Sequence, residues 1–179
     1  MSPPVSCWSS PRGRRAPASL RDVVCDASGL IDGLIFPTAR PRVMHAERTF
    51  WEKATAIHVF CHQDRLRGDR FARHWHDVAR LDEAGLAEAA FADRELANAV
   101  ARHKSMFFVE KAADRTAIDY ATAVNGGLQL VPAGDGAKAL EDDYARMVED
   151  GLLIDDAEPF EALMARCADI ASRANGVSA

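Results

Sequence analysis

A lysine that shares its helix with three apolar stripes is the first residue here that calls for a chemical explanation. Lys53 lies in the stretch Glu47-Arg48-Thr49-Phe50-Trp51-Glu52-Lys53-Ala54-Thr55-Ala56-Ile57-His58. Its Glu, Lys, Ala and Trp, with no Gly or Pro, predict a helix. On that helix Phe50, Ala54, Ile57 and Cys61 form one stripe, and Trp51, Ala54 and His58 a second. Thr49, Lys53, Ala56 and Phe60 form a third, so little surface is left for a solvated side. The Lys53 ammonium therefore belongs beside protein or ligand. Burial of a lone ammonium is costly, so it needs an anionic partner.

A second group lies on the next predicted helix, which runs from Asp69, its expected N-cap, to about Asp82. Phe71, Trp75, Val78 and Leu81 are its core stripe. Arg70, Arg73, Asp77 and Arg80 fall at i, i+3, i+7 and i+10 and line one face. Three cations around Asp77 favour its ionised form. The same spacing also describes a surface ion-pair ladder, worth little to stability, and the pattern does not choose between the two. His58, His62, His74 and His76 account for four of the six histidines. His58 and His62 stand at i, i+4, but the HExxH glutamate is missing and no ligand set is forced, so no metal site is expected.

The elements that must carry these groups read as follows. The chain has 179 residues, enough for one domain with a core, or one domain plus part of another. At 48% hydrophobic and 27% charged it is expected to be globular and soluble. The net charge of -5 argues against nucleic-acid binding over the whole surface but leaves room for a local basic groove. Cys7, Cys25, Cys61 and Cys167 are far apart with no CxxC pair, which favours free thiols in a reducing cytoplasm. There is no run of ~18 apolar residues to span a membrane, and the arginine-bearing N-terminus lacks the apolar core of a secretory signal.

Residues 1–18 mix Pro, Ser and Arg without apolar period and read as a disordered tail. Residues 20–25 and Leu34-Ile35-Phe36 read as short extended pieces, and Arg42-Val43-Met44 leads into the Lys53 helix. Such lone strands make no stable sheet by themselves, so the chain reads as starting partway through a domain. Helices are expected at Ala84–Ala90, Asp93 to about Phe108, Ala137–Asp150 and Glu158–Ala174. Leu140, Tyr144, Met147 and Val148 face inward on the third of these. Phe160, Leu163, Met164, Cys167 and Ile170 face inward on the fourth. Arg94, Arg102, His103, Lys104 and Lys111 read as a solvated basic face. Gly126-Gly127 followed by Leu128-Gln129-Leu130-Val131-Pro132 reads as a loop and a short extended segment. The fold class is α+β and mostly α.

Two local patterns resemble the AbiEii/AbiGii toxin family of nucleotidyltransferases, known from abortive-infection (phage-defence) and toxin–antitoxin systems. One is Glu47-Arg48-Thr49-Phe50-Trp51-Glu52-Lys53 with His58. The other is Phe71-Ala72-Arg73-His74-Trp75-His76-Asp77-Val78, similar to that family's Arg-His-aromatic-aromatic-Asp-Leu helix. Their order and the 24-residue separation of Lys53 and Asp77 also fit. The resemblance runs from about residue 20 to the C-terminus.

The resemblance implies residues 19–45 as a remnant of a nucleotidyltransferase sheet and residues 46–179 as a helical C-terminal domain. It implies Lys53 and Asp77 as catalytic groups, with Lys53 on the triphosphate and Asp77 orienting Lys53 or the acceptor. Arg73, Arg48 and Arg70 would contact phosphate or the acceptor backbone, and Glu47, Trp51, Glu52, His58 and His74 would support them. Intact relatives use Mg²⁺ and a nucleoside triphosphate to move a nucleotidyl group to an acceptor such as tRNA. The family's Gly-Ser and Asp-x-Asp motifs, which hold the metal, have no counterpart in residues 1–45. The chain therefore reads as a truncated toxin, inactive alone, with residues 1–18 an out-of-frame remnant. A cognate antitoxin is the expected partner and the cytoplasm the expected compartment. The alternative is a non-catalytic helical module that docks an antitoxin or RNA.

Overall fold

The computed structural model describes residues 18–63, 69–153 and 157–176. The chain divides into two units, Met1–His45 and Ala46–Ala179. In the first, strand β1 (Ala18–Leu20) pairs antiparallel with β2 (Arg42–Met44), Ser19 opposite Val43. An isolated bridge joins Val23 to Ala39. The strand expected over 20–25 is thus displaced to 18–20 and reduced at Val23 to a single bridge. The segment Leu34-Ile35-Phe36 forms no strand, and Ile35 is almost fully exposed. Val23, Leu34 and Ile35 are at least half exposed, so side-chain burial adds nothing to strand pairing at those positions. The tail expected at 1–18 lies outside the described residues except for Ala18.

The second unit is helical: α1 (Ala46–Gln63), α2 (Arg73–Glu83), α3 (Leu86–Ala92), α4 (Arg94–Phe107), α5 (Tyr120–Val124), α6 (Gly134–Glu149) and α7 (Phe160–Gly176). Together the described elements are α+β, mostly α. Helix α1 is the axis. Phe50, Trp51, Ala54, Ile57 and Phe60 are all buried on it, as its crowded stripes require. Phe50, Trp51 and Phe91 of α3 meet edge to face at 5.4–6.1 Å, and Phe60 meets Trp75 of α2 at 5.2 Å. Burial of each such ring contributes about 2–3 kcal/mol. Edge-to-face geometry adds to that by opposing ring edge to ring face.

Both buried indoles keep a partner for their N–H. Trp51 Nε1 donates to the Ala90 carbonyl at 3.0 Å and Trp75 Nε1 to the Leu130 carbonyl at 2.7 Å. Leu130 belongs to a loop that grips three helices through consecutive residues. Leu128 is held on both its N–H and its C=O by the Asn175 amide of α7. The Gln129 N–H donates to His58 Nδ1 of α1, and Leu130 takes the indole of α2. The loop is entered through Gly126, at φ 103°, and Gly127, where an added Cβ would stand 2.6 Å from Thr122 Cγ2. The extended segment expected here forms no strand, because its backbone groups go to side chains rather than to a neighbouring strand.

Other expectations shift by a turn or less. Helix α2 starts at Arg73, so Asp69 is not its cap and Arg70 precedes the helix. Asp93, expected as the first residue of its helix, instead caps α4 (Arg94–Phe107), accepting from the Leu96 N–H at 2.9 Å. Val148 of α6 is 43% exposed rather than inward, whereas Leu140, Tyr144 and Met147 are buried. Lys104 is not on a solvated face. Its ammonium lies 3.3 Å from the Glu52 carboxylate and over the Phe108 ring. Cys25, Cys61 and Cys167 are free thiols; Cys7 lies outside the described residues.

Candidate functional site

Helices α1 and α2 pack side by side and bring Lys53 to Asp77. The Lys53 Nζ–Asp77 Oδ2 distance is 2.6 Å. Asp77 is the anion that the crowded helix required. The pair borders a cleft of about 610 Å³, where Arg70 and Arg73 stand exposed on the α2 side with His76, and Met147 and Leu152 add apolar surface. Among the described residues three cations, Lys53, Arg70 and Arg73, thus share the cleft lining with one carboxylate. That balance suits a polyphosphate anion: Arg offers planar forks and Lys a compact charge. The volume falls in the range of small-molecule sites.

The start of α2 is held from outside itself. Asp143 on α6, 1% exposed, accepts the Arg70 N–H at 2.9 Å on one oxygen and the Ala72 N–H at 2.8 Å on the other. Its carboxylate therefore ties down the backbone leading into α2, while among the described residues no side chain caps the helix itself. Arg70 is in the left-handed region, φ 64°, where a side chain is strained. Nothing local in Glu141-Asp142-Asp143 distinguishes the buried acid from its exposed neighbours, so sequence reasoning missed it. The only signal was its placement three residues after Leu140 and one before Tyr144, on the edge of the inward stripe.

His74 sits on the Phe71 ring at 4.8 Å, and its Nδ1 is buried without a hydrogen-bond partner among the described residues. Burial, reinforced by the Lys53 and Arg73 charges and opposed by Asp77, brings its pKa down to about 4. The ring is therefore neutral beside the cleft at neutral pH. His76 is lowered as well, by burial first and then by Arg80.

The remaining sequence candidates lie outside the cleft lining. Arg48 and Lys104 both pair with Glu52, at 3.0 and 3.3 Å, in a nearby and largely buried cluster. Glu47 is in the first turn of α1, where a carboxylate suits the positive helix end. Trp51 is wholly buried core. His58 is buried too, 4.4 Å from His62 and beside a different cavity lined by Asp119. Burial, and then His62, takes its pKa down to about 4, with Asp119 pulling the other way. Arg80, expected on the same face as Arg73, turns to Glu83 at 2.8 Å.

A family model described as nucleotidyl transferase AbiEii toxin, type IV toxin–antitoxin system, matches residues 10–166. The chain belongs to that family. Membership makes it a nucleotidyltransferase-like member of a type IV toxin–antitoxin system, whose toxins are paired with antitoxins. No curated protein and no solved structure matches it. Among the described residues no helix of this AbiEii chain is long and apolar enough to cross a membrane.

The family reaction uses a nucleoside triphosphate and a divalent metal. Among the described residues the cleft lining has one carboxylate, Asp77, which is engaged by Lys53, and no group of three or more His, Cys, Asp or Glu could hold a metal ion, so the residues described do not fit the metal.

Proposed function

We propose that the α1–α2 cleft binds the triphosphate of a nucleoside triphosphate. Lys53, Arg70 and Arg73 would hold the phosphates, and Asp77 would orient the Lys53 ammonium. The observation that carries this reading is the Lys53–Asp77 pair flanked by two exposed arginines in one cleft. In the reaction of the family, an acceptor hydroxyl, such as one on tRNA, attacks the α-phosphorus. The bond to the bridging oxygen breaks and pyrophosphate leaves. Charge on the transferring phosphoryl group is stabilised by fixed cations placed in advance. The described residues supply that cationic wall but no metal-binding carboxylate pair, so their contribution is binding and orientation. The cytoplasm, which holds both triphosphates and RNA, is the compartment this reading requires, and phage defence is the setting it fits.

Equilibrium binding of a radiolabelled nucleoside triphosphate tests the assignment. Lys53→Ala and Arg73→Ala should each weaken binding about tenfold or more, one charge-assisted contact being worth roughly 1.5–3 kcal/mol. The Lys53–Asp77 pair is partly solvated, 24% and 38% exposed, so Lys53→Ala should change stability by less than about 1 kcal/mol. Equal affinity in wild type and both variants would refute the reading.

A second reading, a module that docks the antitoxin without chemistry, has one observation in its favour. Met106, Phe107, Phe108 and Val109 are consecutive and 51–72% exposed at the end of α4, an apolar run of the kind that marks interaction surfaces. Phe107→Ser should then weaken co-purification with the antitoxin while leaving triphosphate affinity intact.

A further inference from the structure

We propose that Asp143 is a positioning residue for the α1–α2 cleft: from α6 it clamps the backbone at Arg70 and Ala72, and so fixes where the Arg70 and Arg73 guanidiniums stand. The inference rests on the reading of that cleft as a triphosphate site.

Three observations converge. First, a carboxylate 1% exposed spends its two oxygens on two backbone N–H groups separated by one residue, at 2.9 and 2.8 Å. Burying that charge is tolerable only because both bonds are charge-assisted and lie at the positive end of α2. Its charged neighbour Arg146, 3.6 Å away, is mostly solvated. Second, the residue it holds is an arginine at φ 64°. Glycine adopts that conformation without strain, so the side chain at position 70 is retained against a local cost, and it lines the cleft. An observed backbone outlier of this kind points to use of the side chain. Third, the clamp ends at Ala72 and α2 begins at Arg73, so the same two bonds set the helix that presents Arg73 and, one turn on, Asp77. Met147, one turn beyond Asp143 on α6, also lines the cleft. Helix α6 therefore supplies both the clamp and part of the wall.

An ordinary helix cap borrowed from another element would give the same two bonds without any effect on ligand. A double-mutant cycle separates the cases. Wild type, Asp143→Asn, Arg70→Gly and the double variant of the full chain are titrated with sodium tripolyphosphate at low salt by calorimetry, and melted in parallel. Arg70→Gly should weaken binding about tenfold while the melting temperature holds or rises, since glycine relieves the left-handed strain. Asp143→Asn should weaken binding about three- to tenfold with folding retained, because an amide accepts one N–H and faces the other with a donor. The double variant should bind more weakly than Arg70→Gly but by less than the product of the two single losses, because the Arg70 part of the clamp's effect is already gone while its effect through Arg73 remains.

Binding by Asp143→Asn equal to wild type, or two losses that multiply in the double variant, would overturn the proposal. Amide NMR of the wild-type chain carries the test if Asp143→Asn does not fold. Tripolyphosphate should shift the Arg70 and Ala72 N–H resonances, and resonances that stay in place overturn the coupling. Lys53→Ala separates the two levels of failure. If wild type shows no binding that Lys53→Ala removes, the cleft assignment and the clamp proposal fall together. If it does, and Asp143→Asn binds normally, only the clamp proposal falls.

Discussion

Acidification from pH 7.5 to 5 should cost this fold about 3 kcal/mol through two histidines, with His76 adding in the same direction. His58 and His74 both titrate near pH 4 in the folded chain, against 6.5 for a solvated imidazole. Burial is the main cause in each. Both are neutral in the native state at neutral pH. Between pH 6.5 and 4 the unfolded chain binds protons that the folded chain does not, so stability falls as pH falls through that window and is unaffected above it. At pH 5 the linkage relation yields about 2 kcal/mol for one group with these two pKa values. His74 is only half-buried, and solvent screening reduces its share to about 1 kcal/mol. Urea titrations at a series of pH values, extrapolated linearly, measure the sum. His58→Asn keeps an acceptor for the Gln129 N–H but no longer titrates, so it should remove about 2 kcal/mol of the pH-dependent loss. A stability that is flat or rises from pH 7.5 to 5, or a loss undiminished in His58→Asn, would refute the reasoning.

Trp75→Phe should destabilise by about 2–4 kcal/mol in the same urea assay, since it leaves the Leu130 carbonyl without its 2.7 Å donor and a void beside Phe60. Burial pushes the Cys61 and Cys167 thiols up to about 12, whereas Cys25 is exposed. An aromatic disulfide reagent at pH 8 should label Cys25 promptly and reach Cys61 and Cys167 only in denaturant, and prompt native labelling of Cys167 would contradict its placement.

What could be read from the sequence was whatever repeats along one helix. The buried stripes of α1, the Trp75–Val78 core of α2 and the Leu163–Cys167–Ile170 stripe of α7 all follow from spacing of 3 and 4. Lys53 was legible as a charge in need of an anion because too little polar surface surrounds it. The role of Asp143 was not legible, since its partners are 71 and 73 residues away. Lys104 looked like any surface lysine because Glu52, which it meets, lies 52 positions back. In the first unit Val23 and Ile35 are apolar yet 50% and 99% exposed, so apolar character alone did not locate the strands there.

The three consecutive residues 128–130 act as a ruler. Peptide geometry allows little variation in the distance from Gln129 to Leu130, and one end is fixed to His58 while the other is fixed to Trp75. The spacing between the helices that carry Lys53 and Asp77 is therefore set by covalent chemistry, not by side-chain packing alone. Because Asn175 fastens the adjoining residue, a lesion in the last turn of α7 would be felt at a salt bridge it never touches.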